Sequence, residues 1–332
     1  WTSGDPVPEP HLVGVEQSNT SFRFGQDLIL KLYRKVDAGV NPDLEIGRFL
    51  TDRTDFAHFP RVVGSLEYRG GQRATSTLGV LQEYVPNEGD AWQLTMDALQ
   101  QYWERCLTLV EAEREAPDFP TGSLLDRSKL EPEERVQRLI GPLLTSVRIL
   151  GQVTAEMHLA LASDPGHPDF KPEPDPPHFS RSLYQSVRSQ GRESMDLLAS
   201  KLGDVPALDR PLAEDLLSRS ETFRQRVRHL TQAGISAKRI RCHGDYHLGQ
   251  VLYTGRDFVV IDFEGEPARS ISERRLKRSP LRDVAGMLRS LHYASVFGLR
   301  HGEVVRTDDR PVLEPWARVW YYWVSGGFLK GY

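Results

Sequence analysis

Residues 240–252 read IRCHGDYHLGQVL, and residues 259–264 read VVIDFE. In the first stretch, Asp245 follows His-Gly directly and Gln250 lies five residues later. In the second, Asp262 follows a short apolar run that predicts a strand, and the end of this strand would carry the carboxylate into a cleft. Carboxylate and amide oxygens are hard ligands of the kind that divalent cations prefer. The two stretches therefore predict a polar site built from two carboxylates and one amide.

The order of these groups matches the phosphoryl-transfer pattern of protein kinases, H-R-D-x-x-x-x-N followed by D-F-G. Here Gln250 stands at the Asn position and Glu264 replaces the Gly. On this pattern we predict Asp245 as the base that accepts the proton of an attacking hydroxyl, and Gln250 and Asp262 as metal ligands. Glu264 is a further candidate metal ligand, or else the end of a surface strand. A turn and a strand end explain each stretch alone, but their order and spacing favour the site.

The bulk properties of the chain exclude several classes of protein. Its 332 residues are enough for two lobes with large cores. The net charge of −4 offers no basic excess of the kind that nucleic acid or a membrane surface attracts. No apolar run approaches the roughly 18 residues of a membrane helix. Cys106 and Cys242 form no disulfide framework and no zinc pattern, so we expect a cytoplasmic protein.

The order of predicted elements indicates an α+β, two-lobed protein-kinase-like fold. Strand patterns dominate residues 1–84, which we predict to be a small amino-terminal lobe. Residues 85–90 are rich in turn formers and are predicted to be the hinge. Residues 91–332 are mostly helical in pattern and would form the carboxy-terminal lobe, which carries the catalytic loop and the acceptor site. A nucleotide would bind between the lobes, with adenine against the backbone near Glu83 and Val85.

Lys31 is a lone charge in an apolar strand, where a charged group is costly unless it is paired. In the kinase interpretation its ammonium meets the nucleotide phosphates and pairs with a helix Glu. Glu45 is the predicted partner, because Asn41 and Pro42 begin a helix that carries it in its first turns. The alternative is a Lys on the solvent face of an edge strand.

The segment ahead of Lys31 is predicted to hold the phosphates, although it has no glycine-rich loop. Hydroxyls, amides and backbone N–H groups can cradle phosphate oxygens without glycine. An ordinary hairpin turn is the competing interpretation. The candidate nucleotide-binding residues of this segment are Gln17, Ser18, Asn19 and Thr20.

Acceptor contacts are expected from the catalytic loop and the carboxy-terminal helix. His247 either touches the acceptor or anchors the loop. Trp320 and Trp323 share one helix face, and such a stripe is either core or a platform on which sugar rings stack. The polar residues that could complete a sugar site beside these aromatic rings are Arg318, Lys330 and Tyr332.

With these residues in view, the chain resembles the bacterial maltokinases, within the aminoglycoside-phosphotransferase-like kinases. The matching stretches are EQSNTS at 16–21, LKLYR at 30–34, NPDLEIGRFL at 41–50, LQEYVPNEGDAW at 81–92, HGDYHLGQ at 243–250, IDFEGEP at 261–267 and SPLRDVAGMLRS at 279–290. The resemblance implies phosphorylation of maltose to maltose 1-phosphate with ATP and Mg²⁺, which feeds α-glucan synthesis from trehalose. It also implies trehalose synthase as a partner, fused or in complex.

The resemblance leaves three interpretations of function. The first is a maltokinase, and the second is a kinase for another sugar or an amino sugar such as glucosamine. The third is a kinase-like docking module for trehalose synthase, which the intact candidate site argues against. Maltokinases usually carry a cap subdomain before the first matching strand, whereas here the first motif begins near Val13. We therefore expect further sequence ahead of this chain in the native protein, either a cap or a fused trehalose synthase.

Overall fold

The computed structural model describes residues 8–15, 19–70, 75–109, 113–176, 178–207, 209–229 and 238–332. These residues fall into two compact units. One comprises Trp1–Lys171 with Ile240–Tyr332, and the other is Pro172–Arg239. The second unit has helical stretches similar in pattern to those around it, so sequence patterns alone did not set it apart.

The first unit begins with a five-stranded antiparallel sheet, in which the spatial order of the strands differs from their order in the sequence. Its strands are β1 Pro10–Val15, β2 Asn19–Phe24, β3 Leu28–Tyr33, β4 Val62–Tyr68 and β5 Ser76–Glu83, in the spatial order β1-β2-β3-β5-β4. Lys31 lies on the central strand β3, opposite Ser21 of β2 and Val80 of β5. Because side chains alternate between the faces of a sheet, this register fixes which residues of β2 share a face with Lys31.

Helix α1 Pro42–Arg53 connects β3 to β4 and begins as its sequence predicts. The Asn41 side chain accepts a hydrogen bond from the Asp43 N–H at 3.0 Å, and Pro42 occupies the first turn. The Asn41 N–H is itself held by Thr77 Oγ1 on β5 at 3.0 Å. This double anchor fixes the start of α1 against the sheet, close to Lys31.

The helical region that follows contributes α2 Ala91–Leu107, α3 Leu124–Ser128, α4 Glu134–Ile140 and α5 Leu143–Leu161. The second unit, by itself, consists of β6 Glu173–Pro174, α6 Phe179–Ser200, α7 Arg210–Ser218, α8 Ser220–Arg228 and β7 Lys238–Arg239. Strands β6 and β7 pair with each other in antiparallel fashion. Helix α6 packs on α8 at Gly191, where a Cβ would lie 2.2 Å from the Phe223 ring.

The chain re-enters the first unit at Ile240. It then forms the antiparallel hairpin of β8 Val251–Tyr253 and β9 Phe258–Val260. The helices that follow are α9 Ile271–Arg274, α10 Leu281–His301 and α11 Arg310–Gly331. Helix α11 is buried along most of its length against α5 and α10. The backbones of α5 and α11 touch at Gly151, where a Cβ would lie 2.1 Å from the Phe328 carbonyl oxygen. No described helix is long and apolar enough to cross a bilayer.

Candidate active site

The predicted catalytic loop, residues 243–250, is held in place by one buried carboxylate, that of Asp283 on α10. Its two oxygens accept the N–H groups of His243 and Gly244 at 2.8 and 3.0 Å. Burial raises the pKa of Asp283, but the hydrogen bonds that it accepts from His158 and from the Gly244 N–H outweigh burial and hold this pKa below its usual value. Charge-assisted hydrogen bonds of this kind are stronger than neutral ones, so Asp283 fixes the backbone immediately before Asp245.

The His243 ring is part of the same scaffold. Its Nδ1 accepts the Asp245 N–H at 3.3 Å, which leaves Nε2 to donate to the Ile261 carbonyl at 2.8 Å. His243 therefore joins the catalytic loop to the residue before Asp262. This arrangement sets the spacing of the two predicted site carboxylates without using His243 as an acid or base.

Helix α10 supports the loop at two further points that sequence reasoning missed. Ser290 Oγ accepts the Leu248 N–H at 3.1 Å. At Gly286, a Cβ would lie 2.6 Å from the Tyr246 carbonyl oxygen, so a side chain there would push the helix off the loop. The SPLRDVAGMLRS stretch carried the signal, since Asp283, Gly286 and Ser290 lie on adjacent turns of one helix.

The last residue, Tyr332, reaches the loop indirectly. Its hydroxyl lies 3.1 Å from His158 Nδ1, and His158 Nε2 lies 3.1 Å from Asp283. Tyr332 therefore supports the loop through His158 and Asp283, and the sugar contact predicted for it stays a prediction.

A cavity of about 920 Å³ separates the sheet from the catalytic loop. The predicted hinge positions Glu83 and Val85 border it, and Ile29, Leu252 and Ile261 supply apolar surface. The polar residues that line the same cavity include Ser21, Lys31, Asp90, Asp245, His247, Gln250, Asp262 and Glu264. An apolar wall and a polar wall in one cleft suit a base and its attached phosphates.

Lys31 is 8% exposed and makes three ion pairs on the polar wall. Its Nζ contacts Asp262, lies 3.0 Å from Glu264 and lies 3.3 Å from Asp43. Burial lowers the pKa of Lys31, but the three carboxylates outweigh burial and raise this pKa well above its usual value. Lys31 is thus a buried, charged ammonium and not a residue on a solvent face.

The prediction that Glu45 pairs with Lys31 is wrong, because Asp43 takes that place. Asp43 Oδ2 also accepts the Tyr33 hydroxyl at 3.0 Å, and its Oδ1 accepts the Phe263 N–H at 3.0 Å. Asp43 lies at the start of α1, within reach of Lys31 on strand β3, whereas the Glu45 carboxylate lies against Arg241 and Arg275. A single carboxylate therefore joins β3, α1 and the segment that carries Asp262.

Glu45 instead binds two arginines away from the cleft. Its carboxylate lies 2.8 Å from Arg241 Nη1 and accepts hydrogen bonds of 3.0 and 2.5 Å from Arg275. Burial raises the pKa of Glu45, but the Arg275 hydrogen bonds and the Arg241 charge outweigh burial, and the pKa lies below its usual value. Arg275 thus anchors α1 through Glu45.

Three carboxylates, Asp43, Asp262 and Glu264, offer oxygens that all lie within 4.8 Å of one another. Burial raises the pKa of Asp262, but the charge and hydrogen bond of Lys31 outweigh it and lower this pKa, with a smaller contribution from the Gln250 amide. Burial raises the pKa of Glu264 above its usual value, against the opposing charge of Lys31. Asp262 has a left-handed φ of 64°, an unusual conformation for a residue other than glycine that is often found at functional sites. This oxygen-rich set fits a Mg²⁺ ion bound together with phosphates.

A hydrogen bond joins the predicted phosphate-binding segment to Glu264, one of the candidate metal ligands. Asn19 is 1% exposed, and its Nδ2 donates to Glu264 Oε1 at 2.8 Å. Ser21, not Thr20, lines the large cavity, as strand alternation requires when Ser21 pairs with Lys31. Gln17 and Ser18 lie outside the described residues.

A second cavity of about 590 Å³ opens on the other side of the catalytic loop. It shares Asp90, Asp245, His247 and Gly249 with the first cavity. The remaining lining residues are Trp92, Gly244, Tyr246, Arg282, Asp283, Gly286, Arg289, Ser290 and Tyr293. Asp245 therefore faces two cavities that can hold two different molecules.

His247 anchors the catalytic loop and also lines both cavities. Its Nδ1 accepts the Gly249 N–H at 3.1 Å and so caps the short helical turn Leu248–Gln250. Burial lowers the pKa of His247 below its usual value, against the charge of Asp245. The sequence-based alternatives of anchor and acceptor contact are thus compatible at this residue.

The aromatic stripe of α11 is core and not a sugar platform. Trp320 is 0% exposed and Trp323 is 9% exposed, and neither lines the cavities beside Asp245. Arg318 pairs with Glu314 at 2.8 Å on the same helix, and Lys330 pairs with Glu131. Trp320 and Trp323 therefore belong to the core, because α11 buries its aromatic face against α2, α5 and α10. The substrate contacts predicted for Arg318 and Lys330 stay predictions.

The Lys31–Asp43 pair gives a first testable prediction. In the kinase interpretation, Asp43→Asn should raise KM for ATP by about tenfold or more, because hydrogen bonds to charged groups contribute about 1.5–3 kcal/mol. Glu45→Gln is the matched control and should leave KM for ATP near the wild-type value. Steady-state kinetics with thermal melts of both variants would check this. A larger KM effect in Glu45→Gln than in Asp43→Asn would restore the original assignment.

Comparison with known proteins identifies the family. The model of the phosphotransferase enzyme family, named APH, matches residues 11–265. The chain belongs to this family. The match to the phosphotransferase family spans Lys31, the catalytic loop and Asp262, and it includes every lining residue of the large cavity except Pro267.

Two curated proteins that are similar to this chain in sequence are glucosamine kinases. The protein of Streptacidiphilus jiangxiensis is 23% identical over 335 residues, which cover 100% of this chain and 64% of that protein. The protein of Mycolicibacterium smegmatis (strain ATCC 700084 / mc(2)155) is 25% identical over 294 residues, which cover 88% of this chain and 61% of that protein. This chain thus spans less than two thirds of the length of these two relatives.

Solved structures agree on the fold. A glucosamine kinase in crystal form B aligns with a TM-score of 0.67 at 21% identity, covering 100% of this chain and 66% of that one. A glucosamine kinase in complex with glucosamine, ADP and inorganic phosphate aligns with a TM-score of 0.65 at 22% identity, covering 94% of this chain and 65% of that one. The predicted α+β, kinase-like fold of the aminoglycoside-phosphotransferase type is confirmed.

Proposed function

We propose that this phosphotransferase is an ATP-dependent sugar kinase. The observation that carries the proposal is the position of Asp245 between two cavities, one suited to a nucleotide and one open to a second molecule. A kinase needs this arrangement, because its base must reach the acceptor hydroxyl while the phosphates lie on the other side. The division into an amino-terminal lobe at 1–84, a hinge at 85–90 and a carboxy-terminal lobe at 91–332 is part of the same proposal.

In the proposed reaction, Asp245 accepts the proton of an acceptor hydroxyl. The hydroxyl oxygen forms a bond to the γ-phosphorus of ATP, and the bond from that phosphorus to the leaving ADP oxygen breaks. Lys31 holds the phosphates in line with this attack. The Ser21 hydroxyl lies on the sheet side of the same cleft, where it can donate to phosphate oxygens, and the Asn19 amide holds Glu264 beside it.

Asp262, Gln250 and Glu264 would hold Mg²⁺ on the phosphates. The ion neutralises negative charge on the phosphate oxygens when it is bound. Lys31 forms ion pairs with Asp262 and Glu264. Its ammonium therefore lies where the negative charge of these carboxylates and of bound phosphates requires a positive charge. Asp43 completes the carboxylate set and orients Lys31 from the side of α1.

Two acceptors have separate support. Glucosamine is favoured by the relatives and by the solved glucosamine kinase with glucosamine bound, since these are similar over nearly all of this chain. Maltose is favoured by the sequence motifs, which extend from the phosphate segment to the start of α10. Association with trehalose synthase rests on that resemblance alone.

An ADP-release assay across glucose, glucosamine, maltose and trehalose tests the function. We expect ADP formation that depends on one of these sugars, with a distinct preference for glucosamine or for maltose. Absence of sugar-dependent ADP release, with ATP bound by a folded protein, would overturn the proposed kinase. For the sugar that stimulates ADP release, ³¹P NMR of the product would identify the phosphorylated hydroxyl, because an anomeric phosphate differs in coupling from a phosphate on a primary carbon.

A further inference from the structure

Arg274, the last residue of α9, is a buried cation beside the candidate metal ligands. Its side chain is only 6% exposed. Its Nη1 donates to the Glu264 carbonyl oxygen at 3.2 Å and lies 3.9 Å from Glu264 Oε2. Its Nη2 donates to Asp37 Oδ2 at 3.3 Å, in the connection between β3 and α1. Because an arginine keeps its charge in a protein, its burial requires carboxylate partners of this kind.

The local sequence fixes the position of Arg274. Helix α9 begins with a capping box, in which Ser270 Oγ accepts the Glu273 N–H at 3.4 Å and Glu273 accepts the Ser270 N–H at 3.1 Å. Gly265, the residue after Glu264, has a left-handed φ of 71°, and a Cβ there would lie 3.6 Å from Arg274 Cβ and Cγ. The arginine stem therefore packs against the backbone that carries Glu264.

The Glu264 carboxylate is held by donors from three elements. Its Oε1 accepts the Asn19 Nδ2 hydrogen bond from β2 at 2.8 Å and lies 3.0 Å from Lys31 Nζ on β3. Its Oε2 faces Arg274 of α9. In the proposed function Lys31 binds the nucleotide phosphates, so Asn19 and Arg274 are the groups that continue to hold Glu264. The position of Glu264 in the nucleotide complex then depends on Arg274.

We infer that Arg274 is a positioning residue for Mg²⁺ binding, which it serves by holding Glu264 at the edge of the nucleotide cavity. The inference rests on the proposed function and deepens it by adding a residue that supports a candidate metal ligand from behind. Arg274 lines a separate cavity of about 40 Å³, and Glu264 lines both this cavity and the nucleotide cavity. A lysine cannot replace Arg274, because one ammonium does not reproduce the planar fork that meets Glu264 and Asp37 together.

The test measures ADP affinity by isothermal titration with and without Mg²⁺. Arg274→Lys should weaken ADP binding by about tenfold in the presence of Mg²⁺, because groups that orient metal ligands contribute about 10–100-fold to metal affinity. Its ADP affinity without Mg²⁺ should stay near the wild-type value. Arg269→Lys is the matched control, since Arg269 pairs with Glu266 and its side chain is 38% exposed. Equal loss of ADP affinity with and without Mg²⁺ in Arg274→Lys would overturn the inference.

A double-mutant cycle tests whether Arg274 acts through Glu264. In the Glu264→Gln background, Arg274→Lys should weaken Mg²⁺-dependent ADP binding by less than about twofold, because residues that act through one another are not additive. Full additivity of the two substitutions would contradict the inference. Asp37→Asn releases Arg274 from its other end, and the 35% exposure of the Asp37 side chain favours a folded variant. It should also weaken ADP binding only when Mg²⁺ is present, so it decides the question if Arg274→Lys does not fold.

These titrations need no acceptor, so they judge Arg274 even if no sugar stimulates ADP release and the proposed kinase fails. If the wild type binds no ADP, the nucleotide site fails as well, and Mn²⁺ titration followed by electron paramagnetic resonance takes its place. We then expect the wild type to bind Mn²⁺ more tightly than Arg274→Lys. Equal Mn²⁺ affinity of the two proteins, or no Mn²⁺ binding by the wild type, would overturn the role of Arg274.

Discussion

Asp245→Asn is expected to lower kcat by about 10²–10⁴-fold, the range typical of a lost general base. Asp245 borders both cavities, and its backbone N–H is fixed by His243 Nδ1 at 3.3 Å. The substitution keeps the shape of the side chain and this backbone hydrogen bond. It removes the negative oxygen that would accept the hydroxyl proton. Turnover should therefore fall while the affinity for ATP stays near the wild-type value.

Sugar-dependent ADP release gives kcat, and isothermal titration with a non-hydrolysable ATP analogue gives the affinity. Asp55→Asn is a suitable control, because Asp55 is exposed and distant in sequence from the catalytic loop. His247 is the alternative base, since it also lines both cavities. Near wild-type turnover in Asp245→Asn, together with loss of activity in His247→Ala, would move the assignment to His247.

The catalytic loop and the Asp262 strand could be predicted because their geometry is local. Asp245, Gln250 and Asp262 belong to two short segments joined by the hairpin of β8 and β9. In this hairpin the Ile261 N–H donates to the Gln250 carbonyl at 3.0 Å, so the second segment folds directly back on the first. The sequence spacing therefore almost determines the distances among these three residues.

The partner of Lys31 could not be predicted with the same certainty, because it depends on how α1 meets β3. Asp43 and Glu45 lie in the same first turn of α1, and either spacing satisfies the kinase pattern. The choice is made by the hydrogen bonds that hold the start of α1, those of Asn41 and Thr77, and by the arginines that attract Glu45. These contacts join segments distant in sequence, which a linear pattern does not reveal.

The aromatic residues show the limit of periodicity. Trp320 and Trp323 have the spacing of a shared helix face, but a core stripe and a ligand platform have the same spacing. The stretch of α11 from Val319 to Leu329 carries no charged residue, and a helical stretch that is apolar all round is generally buried. That feature of the sequence favours a core position for Trp320 and Trp323. Trp92 has no comparable periodic pattern, and only the tertiary fold brings it to Tyr293 in the wall of the second cavity.

Asp262→Asn should lower turnover by about 10³-fold or more, because loss of metal-assisted charge stabilisation costs several kcal/mol and each 1.36 kcal/mol is a factor of ten in rate. The substitution removes the negative charge that both Lys31 and a bound cation would meet. It also replaces a residue held at a left-handed φ of 64°, which Asn tolerates about as well as Asp. The fold should therefore survive the change while the cleft loses its ability to hold the phosphates with metal.

The dependence of activity on Mg²⁺ distinguishes this role from a purely structural one. In Asp262→Asn the Mg²⁺ concentration for half-maximal activity should rise, whereas Asp257→Asn should leave it unchanged. Asp257 makes a matched control because it lies before strand β9 of the same hairpin and lines neither cavity. If Asp262→Asn keeps the wild-type Mg²⁺ dependence and loses activity only in proportion to a lower melting temperature, Asp262 is a structural partner of Lys31. The metal would then have to be assigned to Glu264 and Asp43, the other carboxylates of the cluster.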